Sequence, residues 1–122
     1  MKKITLTCAH AIVKYLIAQK ILINGKKEPL FPGVFGIFGH GNVACLGQAL
    51  EENQKELPTY RGHHEQNMAL TGIGYARAKR RQQIFVATSS VGPGATNMVT
   101  AAAVAMSCLL YTSPSPRDMT GS

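Results

Sequence analysis

The chain has 122 residues, 45% hydrophobic and 16% charged, which suits a globular protein and admits one domain at most, with a small core. Its 13 Lys and Arg against 6 Asp and Glu give a formal charge of +7, yet the cations are scattered, so neither nucleic acid nor an anionic membrane is the expected partner. No run of about 18 apolar residues occurs, so neither a spanning helix nor a secretory signal is supported, and a cytoplasmic protein is expected.

Residues 6–23 place Ala9, Ile12, Val13, Leu16 and Ile17 at spacings of three and four, which predicts a helix with one buried stripe, stopped by Asn24-Gly25. After a Pro-bearing loop, VFGIF is short, apolar and bounded by glycine, the pattern of a buried strand. GHGNVACLGQALEEN then predicts a second helix with Val43, Leu46 and Leu50 on one face. Residues 57–61 carry no firm pattern. From Glu65 to Arg81, Met68, Ala69, Gly72, Ile73 and Ala76 repeat with helical spacing. Gly72 and Gly74 each lower helix propensity by close to ~1 kcal/mol, which implies tight packing against a neighbour.

QIFVATSS is the clearest strand, and VGPGATNMVTAAAVAM follows it as a turn and an alanine-rich helix. Strand and helix in alternation imply an α/β fold, a partial parallel sheet with crossover helices. The one sizeable basic cluster, Arg77, Lys79, Arg80 and Arg81, falls at a predicted helix end, where cations complement the dipole. Cys8, Cys45 and Cys108 form no Cys-x-x-Cys pair and no even disulfide set, so reduced, buried thiols are expected.

Several motifs bear on chemistry. Gly39-x-Gly41-x-x-Ala44 formally satisfies the dinucleotide fingerprint, but Pro58, Thr59, Tyr60 and Arg61 stand where a second strand should close on an acidic residue. His40, His63 and His64 lack metal-ligand spacing, and no metal is expected on this chain. GPGATN, residues 92–97, turns sharply after a strand and leaves little side chain to obstruct a ligand at the carboxyl end of a parallel sheet. Glu65 opens a helix, where the dipole favours a carboxylate whatever its function.

Together, VFGIFGHGNVACLGQALEE, YRGHHEQNMALTGIGYA with its following KRR, and IFVATSSVGPGATNMVTAAA resemble the amino-terminal pyrimidine-binding domain of thiamine-diphosphate-dependent enzymes. The similarity spans residues 6–106. The Gly-Pro-Gly-Ala-Thr-Asn segment resembles one found across many members, acetohydroxyacid synthases among them. The FGHGN loop with YRGHHEQ is similar to the narrower branch that opens a cyclic dione in inositol breakdown.

The resemblance implies that Glu65 is the catalytic, cofactor-activating glutamate, hydrogen-bonded to the aminopyrimidine ring. In a water-poor pocket its pKa is expected to be raised. Phe38, Gly39, Gly92, Pro93, Gly94 and Asn97 are implied to line the thiamine diphosphate slot, although many relatives carry proline where Phe38 stands. His40 and His63 are implied to face a polyhydroxylated ring; His64 does so more weakly, since that branch commonly has asparagine there.

The implied reaction is hydrolytic carbon-carbon cleavage of trihydroxycyclohexane-1,2-dione to 5-deoxyglucuronate in myo-inositol catabolism, by a homodimer or tetramer with its active site between subunits. Mg2+ is implied to bridge the diphosphate, held by a carboxyl-terminal domain whose GDG-type motif does not occur in this sequence. Residues 1–107 are therefore expected to be part of a larger enzyme and inactive alone. CLLYTSPSPRD is similar to an in-frame sequencing-adapter translation, so 108–122 is expected to be a non-family tail. The alternatives are another enzyme of the acetohydroxyacid synthase type, or a non-enzymatic basic nucleotide- or nucleic-acid-binding module.

Overall fold

The computed structural model describes residues 3–107; Cys108 and the expected tail lie outside the described residues. The first helix, α1, runs Cys8–Ala18, with the Thr7 hydroxyl accepting the His10 N–H at 3.2 Å as its amino-terminal cap. It is shorter than the periodicity predicts. Residues Lys20–Ile23 (β1) pair antiparallel with Lys26–Pro29 (β2) around Asn24 and Gly25, whose φ values of 52° and 80° make a primed two-residue turn. The apolar residues Ile21, Leu22 and Ile23 extend a helical stripe on paper, but Asn-Gly is a hairpin turn as well as a helix stop, and pairing with β2 decides between the two.

Three short strands form the main sheet: β3 (Val34–Gly36), β4 (Thr59–Arg61) and β5 (Val86–Thr88), in the order β4-β3-β5, all parallel. Val34 pairs with Thr59 on one side and with Val86 on the other. The expected α/β architecture is thus present, with a strand at residues 59–61 where sequence offered no firm pattern. Between β3 and β4 the chain forms α2 (Gly39–Asn42), one π-helical turn (Val43–Gly47) and α3 (Gln48–Glu52). The helix α4 (Glu65–Ala78) follows β4, and α5 (Pro93–Thr96) and α6 (Val99–Ser107) follow β5.

Because side chains alternate across a strand, the sheet has two covered faces. On one, Val13, Val34, Ala49, Leu50 and Leu57 form the core, each no more than 2% exposed. On the other, Phe35 stacks on Phe85 with centroids 4.7 Å apart, and Tyr75 of α4 meets Phe85 edge-on at the same separation. An apolar cleft of about 460 Å³ remains between α4, β5 and α6, lined by Ile73, Ala76, Phe85, Met98, Ala101 and Ala105.

Several expectations of burial fail. Ile12 and Val43 are 48% and 58% exposed, because α1 buries only the Val13 side of its stripe and the π turn rotates Val43 outward. Cys8 and Cys45 are exposed, since each sits at a solvent-facing position on its helix rather than under the sheet. Gly72 is buried, but a methyl there would lie 3.8 Å from Phe85, an ordinary contact; at Gly74 nothing lies within 4 Å. The close packing implied by these glycines is therefore not found.

Candidate functional site

Parallel strands end on one edge, and here each carboxyl end feeds directly into a loop and helix. Residues 37–38 lead into α2, 62–64 into α4 and 89–92 into α5. Backbone and amide hydrogen bonds tie the three exits together. Ile37 N–H donates to the Thr88 carbonyl at 3.2 Å, Gly62 N–H to the Gly36 carbonyl at 3.3 Å, and the Asn42 side-chain amide to the Ser89 carbonyl at 3.4 Å.

Glu65 is the first residue of α4 and only 8% exposed. His64 precedes it in an extended conformation, φ −153°, and its Nδ1 accepts the Gln66 N–H at 3.2 Å. His64 is thus the helix cap, a role for which asparagine is equally suited. The Glu65 Oε2 accepts the Asn97 side-chain amide at 3.4 Å, and the Ser90 hydroxyl also bonds the carboxylate. A Cβ added to Gly94 would press on Ser90 Oγ and come within 2.7 Å of Glu65 Oε1, so glycine makes room for this arrangement.

The protonation of Glu65 departs from expectation. Its own backbone N–H, followed by the Asn97 amide, holds the carboxyl below its ordinary range, and burial opposes this only partly. The carboxylate is covered by its neighbours, yet the hydrogen bonds to it outweigh the desolvation. The raised pKa implied by a water-poor pocket is absent from this chain by itself.

The remaining candidates divide. Gly39, at φ 68°, sits against the β5 loop: a Cβ there would lie 2.8 Å from Ser90 Cβ. Phe38 folds its ring back over Gly36 and Gly47 and packs beside the core. Gly92 has φ 63° with open space around it, Pro93 opens α5, and Asn97 closes it. His40 is exposed at the start of α2, while His63 is exposed in a cleft with Arg61, His64 and Asn67. Among the described residues no three His, Cys, Asp or Glu side chains gather as metal ligands. A separate slot of about 410 Å³ is lined by Ile37, Phe38, Gly39, Val43, Glu51 and Arg61.

Sequence reasoning missed Ser90 and Asn42. The signal for Ser90 was present, in two serines that follow an apolar strand at the ligand-binding edge of a parallel sheet. No local pattern marks Asn42. Among the described residues no helix is long and apolar enough to cross a membrane.

A family model described as thiamine pyrophosphate enzyme, N-terminal TPP binding domain, matches residues 28–109. The 3D-(3,5/4)-trihydroxycyclohexane-1,2-dione hydrolase of Geobacillus thermodenitrificans is 55% identical to this chain over 105 residues, 86% of its length. Proteins of the same description from Clostridium tetani and from Bacillus cereus are 50% identical over the same span. The chain spans 16% of the length of each of these relatives.

Proposed function

This chain belongs to the family of thiamine pyrophosphate enzymes, as part of their N-terminal TPP-binding domain, and on that premise we propose that it is the amino-terminal part of a hydrolase opening trihydroxycyclohexane-1,2-dione. The reading rests on the relatives' shared description, which favours a cyclic dione over the 2-keto acids of an acetohydroxyacid synthase. The observation that carries the chemistry is Glu65, a nearly covered carboxylate at the point where the three loops meet.

The residues suit the pyrimidine half of thiamine diphosphate. A charged carboxylate accepts a ring N–H, and the missing side chain at Gly94 leaves the carboxylate room to stay in place. Bound there, the cofactor supplies a nucleophilic carbon and an electron sink for carbon-carbon cleavage. Glu65 holds and exchanges the proton at the ring nitrogen. Ser90 and Asn97 fix its orientation. Covering the site with a heterocycle and a second subunit removes water, which opposes the hydrogen bonds that hold the Glu65 pKa down.

The turns at Phe38-Gly39 and Gly92-Pro93-Gly94 admit the ring to the backbone, and His63 shares a cleft with Arg61 beside the substrate side, whereas His40, exposed at the start of α2, lines neither cleft. Mg2+ is held by residues outside this chain, in a homodimer or tetramer of the complete cytoplasmic enzyme. The 122-residue chain by itself turns nothing over; tight binding of thiamine diphosphate by it would contradict that.

Glu65→Gln in the complete polypeptide tests the assignment. An amide cannot exchange the proton, so turnover falls about 100-fold or more while the circular dichroism spectrum is unchanged. Near-normal turnover refutes the role of Glu65. Consumption of pyruvate in place of the dione by the unaltered protein would favour the synthase reading.

A further inference from the structure

Arg61 closes β4 four residues before Glu65 and lines both clefts on that edge of the sheet: the slot with Phe38 and Glu51, and the neighbouring cleft with His63 and Asn67. Arg61 and Glu51 are exposed, carry opposite charges and face the same slot, yet among the described residues neither makes an ion pair or hydrogen bond through its side chain. The slot is not remote from the carboxylate already described. Gly39 forms part of its wall and abuts Ser90, whose hydroxyl reaches Glu65.

We propose that this slot receives the polyhydroxylated ring, with Arg61 donating to two adjacent ring oxygens and Glu51 accepting from ring hydroxyls. The inference rests on the reading of a cyclic-dione substrate. A volume of about 410 Å³ accommodates a six-membered ring. The guanidinium is a planar fork of parallel N–H donors, and the two oxygens of a 1,2-dione lie side by side and match it; an ammonium has no such fork. A polyol both donates and accepts, so it satisfies a cation and an anion in one slot. A 2-keto acid brings a carboxylate, which Arg61 attracts and Glu51 repels. The pair therefore selects a neutral polyhydroxylated ring over a small acid. Phe38 and Val43 give the slot an apolar side for the ring carbons.

The test uses the complete polypeptide, with Arg61→Gln, Arg61→Lys and Glu51→Gln compared with the unaltered protein in dione kinetics, thiamine diphosphate titration and inhibition by pyruvate. Arg61→Gln is expected to raise KM for the dione about tenfold or more, because the ring oxygens lose a charged, two-pronged donor. Arg61→Lys recovers only part of this, since charge returns without the fork. Glu51→Gln raises KM for the dione and strengthens pyruvate inhibition. Affinity for thiamine diphosphate stays within about twofold in all three, which separates ring binding from cofactor binding. Dione turnover by the unaltered protein with KM unchanged in Arg61→Gln overturns this assignment alone. An unaltered protein that consumes a 2-keto acid and no dione overturns it together with the function it rests on.

Discussion

Replacing Gly94 by alanine inserts one methyl group into the contact that holds Glu65. The added Cβ presses on Ser90 Oγ, lies 2.7 Å from Glu65 Oε1 and 3.3 Å from Ser90 Cβ, so at least one of these side chains has to move. Alanine is otherwise the better helix former in α5, by up to about 1 kcal/mol. Overpacking a filled site costs about 1–3 kcal/mol, which outweighs that gain. The net expectation is a loss of about 1–2 kcal/mol, with Ser90 or Glu65 displaced. Gly74→Ala is the matched control: the position is inside α4, nothing lies within 4 Å of the new methyl, and a gain of about 0.5–1 kcal/mol is expected. Urea unfolding of the two variants beside the unaltered protein reads the result as midpoints that move in opposite directions. A Gly94→Ala protein as stable as Gly74→Ala would refute the reasoning, because the space beside Glu65 would then be open.

Two further outcomes follow from the charges. The His10 ring bonds Glu52 at 2.6 Å across α1 and α3 and, with Gln48, lowers the Glu52 pKa from its ordinary 4.5. A depressed carboxylate contributes stability that is complete above its unfolded value and is lost as pH falls through the folded one, so Glu52→Gln should lower stability slightly at neutral pH, leave it unchanged in acid and thereby flatten the acid limb of a stability-against-pH curve. A limb as steep as before would show that the staple contributes nothing. Asn97→Ala removes the side-chain amide on Glu65, and carboxyl NMR titration should find the Glu65 pKa shifted upward, toward the ordinary range. A value that stays where it was would show that the Asn97 amide contributes nothing, leaving the backbone N–H with the His64 ring and the Ser90 hydroxyl.

Much of this architecture was legible because it is written in neighbouring residues. The helix from Glu65 carries its own apolar repeat, β5 is a run of β-favouring residues, and the glycines of GPG stand where the chain turns. The segment at residues 20–23 was not legible, because Ile21, Leu22 and Ile23 suit a helix stripe and a strand alike. Strand β4 was also hidden: three residues, Thr59, Tyr60 and Arg61, are too few for a period, and only pairing with β3 makes them a strand.

The sequence alone determined the family, through motifs that span most of the chain, and singled out Glu65 as the candidate glutamate. It also set the alternation of strand and helix, since side-chain periodicity is a local property. Tertiary structure decided what surrounds that glutamate. Asn97 is 32 positions from Glu65, and Ser90 and Gly94 come from the far side of the central strand. They meet only because three parallel strands end on one edge. The direction of the Glu65 pKa is set there too, because hydrogen bonding and desolvation act through space and leave no mark along the chain.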